Sequence, residues 1–235
     1  MERHIVAMGG GQGPSDPVYR ILFELTGAAR PKVLYVPTAT GDNDRGVTAF
    51  YRSFPAHSFE PTDLGLFVRT VDDLHGFVAD QDVVLVAGGN TLNMLAIWRA
   101  HGLDVVLRQA WEAGVILAGG SAGANCWFEA STTDSFLMGN SDALGDGLGF
   151  VAGSFCPHYD SEPSRRPSFQ RFVGAGALPA GIACDDLAAV HVVGAEVAEV
   201  LGSAPGASAC RVEPDGAGGA RQTPMQVRLL QGGAA

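Results

Sequence analysis

Val115-Ile116-Leu117-Ala118-Gly119-Gly120-Ser121-Ala122-Gly123 is the stretch on which the reading of the chain depends. Four apolar residues of strand length run into a serine flanked by glycines, and Ala122–Glu129 continues with helical spacing. An apolar run without polar alternation is a strand buried on both faces, which implies a parallel sheet covered by helices. The same punctuation occurs three times upstream: His4–Met8 runs into Gly9–Gly11, Val33–Val36 ends at Pro37, and Val83–Ala87 ends at Gly88–Gly89. Between these runs, Pro17–Leu25, Asp44–Phe54, Val71–Ala79, Leu92–Ala100 and Asp104–Ala113 have helical spacing and good helix formers. The alternation predicts the α/β class with a doubly wound, mostly parallel sheet. Ligands of such sheets sit outside the carboxyl ends of the strands. Gly9–Gln12, Pro37–Thr40, Gly88–Thr91 and Gly119–Ser121 therefore point to one crevice.

Beyond Ser121 the pattern changes. Val151–Cys156, Gly181–Cys184, Leu187–Val193 and Ala195–Leu201 read as strands with short connections, expected to add to one side of the sheet in antiparallel or mixed fashion. From Gly202 onward Gly, Ala, Ser and Pro dominate, so 202–235 is expected to pack loosely and Gly232–Ala235 to be a loose end. No repeat or linker interrupts the chain, and 1–235 reads as one domain. With 46% hydrophobic and 17% charged residues, a large core is available. The formal charge of −10 repels a phosphate backbone, which argues against a nucleic-acid partner. No apolar stretch approaches the roughly 20 residues of a membrane-spanning helix, and Met1–Gly10 lacks the features of a secretory signal. Cys126, Cys156, Cys184 and Cys210 are scattered, with no Cys-x-x-Cys pair, and read as reduced structural thiols of a cytoplasmic protein, monomeric or homodimeric.

Gly119–Gly123 fits G-x-S-x-G in a strand–turn–helix setting, the context of a nucleophile elbow. The alternative is a glycine-rich turn that binds phosphate at a helix start. The elbow is preferred because the chain also offers a base. Of six histidines, His158 follows the strand Val151–Cys156 and opens the polar run Tyr159-Asp160-Ser161-Glu162. A histidine at a strand end has the right address to take a proton from a serine. His158-x-Asp160-x-Glu162 also admits a metal reading, ranked low because a second histidine is lacking, and no metal is expected. The orienting acid is left between Asp134, in Thr132-Thr133-Asp134-Ser135, and Glu129, at the end of the expected helix. Gly88 and Gly89 offer backbone N–H groups for one half of an oxyanion hole and Ala122 for the other, while Asn90 and Thr91 suit a helix cap. Gly9-Gly10-Gly11-Gln12-Gly13-Pro14 fails the dinucleotide pattern, because Pro14 takes the place of the third glycine.

Taken together, Val84–Thr91 (VLVAGGNT), Leu117–Asn125 (LAGGSAGAN), the Thr-Thr-Asp ending at Asp134 and Pro157-His158-Tyr159 resemble the peptidase E (aspartyl dipeptidase) family of serine peptidases, over about Met1 to Leu201. The resemblance implies a flavodoxin-like, glutamine-amidotransferase-like three-layer sandwich without metal or organic cofactor. It implies a triad of Ser121, Asp134 and His158, with oxyanion donors at Gly88 or Gly89 and at Ala122, acting on a small peptide. Cyanophycinase, a relative, uses a glutamate, which keeps Glu129 open. Aspartyl dipeptidases hold the substrate's N-terminal Asp with an arginine, for which Arg165, Arg166 and Arg171 are the candidates. Asp160 and Glu162 are then available to pair with those arginines or to meet a substrate amino group, and Asn90 and Thr91 complete the expected substrate contacts.

Overall fold

The chain enters the sheet at β1 (His4–Met8), where Ile5 and Ala7 pack on one face and Val6 and Met8 on the other, all four buried. The strands β2 (Lys32–Val36), β3 (Glu60–Asp63), β4 (Val83–Val86) and β5 (Ile116–Gly120) follow. They are interleaved with α1 (Pro17–Glu24), α2 (Asp44–Ser53), α3 (Leu74–Ala79), α4 (Thr91–His101) and α5 (Leu103–Ala113). These five strands are parallel in the order β1-β5-β4-β2-β3. Val33, Val83, Leu85, Ile116 and Ala118 face Val18 and Leu22 of α1, Phe50 of α2 and Phe54 just past its end. Leu34, Val36, Val84, Val86 and Leu117 face the other way, with Trp98 of α4 and Leu107 and Trp111 of α5. Burial on both faces is why these strands read as unbroken apolar runs. Helix ends are equally local: Asp16, Asn43 and Asn90 accept from the N–H groups of Val18, Gly46 and Asn93, and Gly102 and Gly114 close α4 and α5 in the left-handed conformation. The computed structural model describes residues 2–231, so the loose end expected at Gly232–Ala235 lies outside the described residues.

After Ser121 the expectations need correction. The stretch Ala122–Glu129 is helical only as α6 (Ala122–Asn125), and Glu129 lies on β6 (Phe128–Thr133). Phe128 and the β-branched Thr132 and Thr133 favour a pleated strand, and β6 finds a parallel partner in β8 (Val151–Cys156). The later strands also divide between two sheets. With β6 and β8, the strands β7 (Asp142–Leu144), β9 (Gly181–Cys184), β12 (Ala209–Pro214) and β13 (Ala220–Pro224) form a second sheet, in the order β13-β12-β9-β8-β6-β7. The first sheet is extended past β1 by β10 (Ala188–Val193), β11 (Glu196–Gly202) and β14 (Val227–Leu229). Residues 209–229, expected to be loose, thus supply three paired strands, and Val212 and Leu230 are buried.

One face of the second sheet packs Phe128, Phe155 and Ile182 into the core that holds Trp98 and Trp127. Its other face is covered by α7 (Arg165–Gly174), through Phe169 and Val173 against Ala130, Cys156 and Val212. No helix among the described residues is long and apolar enough to cross a membrane.

Gly9, just past β1, shows how closely these layers meet. A Cβ there would lie 2.1 Å from the Asp185 carbonyl oxygen and 2.9 Å from that of Cys184. Both are backbone atoms of another strand end, which cannot move aside singly. Gly9→Ala should lower stability by about 3 kcal/mol or more, and the thermal midpoint by roughly 6–12 °C. Gly13→Ala, with open space around its Cβ, should shift it by no more than a degree or two; differential scanning calorimetry of both variants checks the contrast.

Candidate active site

Three segments that carry chemistry meet at Met8–Gly10. Ser121 N–H donates to the Met8 carbonyl at 3.3 Å, and His158 N–H donates to the Gly9 carbonyl at 3.1 Å. Leu187 N–H donates to the Gly10 carbonyl at 2.7 Å, and Gly9 N–H donates back to Ala188 at 2.8 Å. The serine turn, the histidine turn and the β9–β10 connection are therefore pinned to consecutive residues.

Ser121 has φ 56° and ψ −117°, an uncommon conformation for a residue with a side chain. Its neighbours must be small. A Cβ on Gly119 would lie 2.5 Å from the Gly123 carbonyl oxygen, and one on Gly123 would lie 2.4 Å from that of Val86. Across from Ser121, a Cβ on Gly88 would stand 3.4 Å from the serine Cβ and 4.0 Å from its Oγ. Gly89 has φ 139° and abuts Ala39, whose carbonyl accepts from Asn90 N–H at 2.8 Å. The strand ends around Met8–Gly10, Ala39, Gly88–Asn90 and Gly120–Ser121, the ones singled out in the sequence, thus form one continuous set of contacts. Ala122 is the first residue of α6, where the N–H has no partner within its helix.

His158 also has a positive φ, 53°. Its ring lies over Gly10, where a Cβ would be 2.2 Å from Cε1. Its Nδ1 is 2.7 Å from Oδ1 of Asp186, with both side chains mostly screened from solvent. Asp186 is in turn held by its own N–H, which donates to Asp160 Oδ1 at 2.8 Å. Neither carboxylate singled out from the sequence occupies that place. Asp134 Oδ1 is 3.7 Å from Arg165 Nη2, and Glu129 Oε2 accepts the Gly153 N–H at 2.7 Å. The helix expected to carry Glu129 gives way to a strand, which directs this residue to the neighbouring β8. The signal for Asp186 is the one that marked His158: a polar residue just past a strand buried along its length, here β9.

The expected substrate contacts disperse. The Asn90 side chain caps α4 and donates to the Ser135 carbonyl at 3.0 Å, and Thr91 is buried against Asn125 and Thr133. Glu162 takes the Nε of Arg165. Arg166 is exposed, with its guanidinium 4.3 Å from the Tyr159 ring centroid and a bond to Gln222, and Arg171 lies over Phe172. Burial pushes the Cys156 thiol up to about 12, and those of Cys126 and Cys184 well above their usual value, as befits structural thiols. Burial also raises the Asp185 carboxyl, and the nearby Asp160 and Asp186 add to the rise. His158, Asp160 and Glu162 each turn to a different partner, and no group of three or more His, Cys, Asp or Glu side chains suited to a metal occurs among the described residues. A cavity of about 580 Å³ lined by His4, Lys32, Asp80, Asp82 and Val115 opens at the amino ends of the strands, the end of the sheet away from Ser121.

The chain is similar to known peptidases along most of its length. The chain is 41% identical to the uncharacterized peptidase YgaJ of Bacillus subtilis (strain 168) over 214 residues, 89% of this chain and 92% of that protein. It is 35% identical to peptidase E of Citrobacter koseri over 95 residues, 39% of this chain and 40% of the relative. Among solved structures, a peptidase from an acI-B1 Actinobacterium superposes with a TM-score of 0.68 at 18% identity, covering 97% of this chain and 95% of that one. A Listeria monocytogenes EGD-e protein provisionally named peptidase E superposes with 0.61 at 17% identity, covering 84% and 97%. Residues 5–200 match peptidase family S51. The chain belongs to peptidase family S51 and is a serine-type peptidase.

Proposed function

We propose that the protein hydrolyses short peptides through Ser121, His158 and Asp186. The observation that carries this reading is the 2.7 Å contact between His158 Nδ1 and Asp186. A carboxylate on Nδ1 fixes the tautomer with the proton on that nitrogen, so Nε2 is the ring's proton acceptor. Ser121 Oγ attacks the scissile carbonyl carbon, and its proton passes to His158 Nε2. The N–H groups of Gly88 or Gly89 and of Ala122 receive the oxyanion. His158 returns the proton to the leaving amine as the carbon–nitrogen bond breaks, leaving an acyl group on Ser121. Water then repeats the sequence and frees the acid. Asp186 keeps the ring oriented and offsets its charge when protonated.

A crevice assembled from strand ends suits a small ligand, and dipeptides with N-terminal Asp are the first class to test. Arg165 is engaged with Glu162 and Asp134, whereas Arg166 is exposed beside Tyr159 and close enough to Asp185 to act on it electrostatically. Arg166 is therefore our choice for the partner of a substrate carboxylate.

Three outcomes are expected. Ser121→Ala should fold with an unchanged melting profile and lose about 10⁶-fold in kcat, and mass spectrometry after fluorophosphonate treatment of the wild type should place the adduct on Ser121. Retained activity in that variant ends the serine-nucleophile reading. Asp186→Asn should lose about 10⁴-fold in kcat, against at most about tenfold for Asp134→Asn or Glu129→Gln; the opposite ranking in steady-state assays returns the orienting role to one of those residues. Arg166→Met should raise KM for Asp-Leu by about tenfold or more, the scale of a lost charged hydrogen bond, and leave Ala-Leu unaffected. Equal turnover of both dipeptides by the wild type removes the carboxylate assignment.

A further inference from the structure

Arg165 is the one Lys or Arg that is buried among the described residues, 2% exposed. A guanidinium withdrawn from water needs anionic partners, and it has two. Nε donates to Glu162 Oε2 at 2.5 Å, and Nη2 lies 3.7 Å from Asp134 Oδ1, while Nη1 is enclosed without an acceptor. The two carboxylates belong to opposite halves of the site. Glu162 closes the turn that carries the base: its N–H donates to the His158 carbonyl at 3.0 Å, and Arg165 N–H donates to the Glu162 carbonyl at 3.0 Å. Asp134 sits in the segment that supports the oxyanion turn. On its two sides, Ser135 accepts Asn90 Nδ2 at 3.0 Å and Leu92 N–H at 3.3 Å, and Thr133 Oγ1 is 3.5 Å from Thr91 Oγ1.

We propose that Arg165 is a positioning residue that locks the His158 turn to the Gly88–Thr91 turn by bridging Glu162 and Asp134. The proposal rests on the roles given above to His158 and to the Gly88–Gly89 N–H groups. Its physical logic is charge and shape. Glu162 and Asp134 would repel one another across the gap, in a chain of net charge −10 whose site already holds Asp160, Asp185 and Asp186. One planar fork meets two carboxylates from different directions, which a lysine ammonium on a flexible stem does not reproduce. Arg165 touches neither Ser121 nor His158 in this scheme; it acts by fixing the distance between the proton acceptor and the oxyanion donors.

The test uses the full chain and the variants Arg165→Met, Arg165→Lys, Asp134→Asn and Glu162→Gln. It reads kcat and KM on Ala-Leu, the labelling rate of Ser121 by an uncharged fluorophosphonate, and amide hydrogen exchange by mass spectrometry. Arg165→Met should lower kcat by about 10- to 100-fold, the cost of misplacing reacting groups by around an ångström, with KM changed less than threefold and labelling slowed in parallel. Arg165→Lys should not restore the rate, and the two carboxylate variants should lose about three- to tenfold. Exchange should rise together over 158–165 and over 88–92 with 133–136. The proposal is overturned by an effect confined to KM for N-terminal-Asp peptides with Ala-Leu and labelling untouched, which would make Arg165 a substrate ligand. It is equally overturned if the rise in exchange stays within 158–165. Absence of any Ser121 labelling in the wild type would sink the catalytic reading instead, while the exchange data still decide the tie. If Arg165→Met does not fold, Asp134→Asn and Glu162→Gln, altered at half-exposed carboxylates, carry the same exchange comparison across the two turns.

Discussion

The short run Met8–Gly9–Gly10 is the constraint from which the site follows. β1 lies between a parallel neighbour, β5, and an antiparallel one, β10. Its carboxyl end is therefore offered to one strand ending there and to another beginning there. Backbone polar groups at such a place must be satisfied, and here the partners that satisfy them are Ser121, His158, Leu187 and Ala188. The hydrogen bonds that complete the sheet are also the ones that anchor Ser121, His158 and Leu187 to three consecutive residues. Side chains add the contact of His158 with Asp186 and the Glu162–Arg165–Asp134 bridge.

Glycine does a second kind of work at this junction. At Gly9, Gly119 and Gly123 the space where a Cβ would stand is filled by a carbonyl oxygen of another segment. At Gly10 it is filled by the imidazole of His158. These residues let backbones approach, and the approach is what sets the depth of the crevice. Ser121, His158 and Leu187, the non-glycine residues with positive φ at this junction, take the strained conformations instead. Such strain persists only where the surroundings over-determine it, and here the surrounding hydrogen bonds do.

What could be read from the sequence divides along the same physical line. β1, β2, β4 and β5 are legible because burial on both faces forces unbroken apolar runs, and Ser121 is legible because its turn must be flanked by glycine. His158 is legible as a polar residue directly behind a buried strand. β3, Glu-Pro-Thr-Asp, is not: it is an edge strand whose pairing comes from the register of β2 against it rather than from its own composition. Residues 209–229 hide their strands behind small and polar residues, and two of the three, β13 and β14, are sheet edges that need little apolar surface. Asp186 is obscured by its neighbour, because Asp185-Asp186 looks like a solvated loop until β9 and β10 are set against the end of β1. Asp134 and Glu129 are close to Ser121 along the chain, yet the strand that replaces the end of the expected helix turns them to Arg165 and Gly153.

The hydrogen bond from Leu187 N–H to the Gly10 carbonyl joins residues 177 positions apart, 187 less 10. β1 is made before the partners of its antiparallel edge, which follow about 180 residues later, on the order of 10–40 s at ordinary translation rates. Until then β1 has an unpaired edge, and Gly10 has no partner for its carbonyl. A nascent chain of this kind holds Ser121 well before it holds Asp186 and the start of β10, so the junction at Met8–Gly10 is completed late.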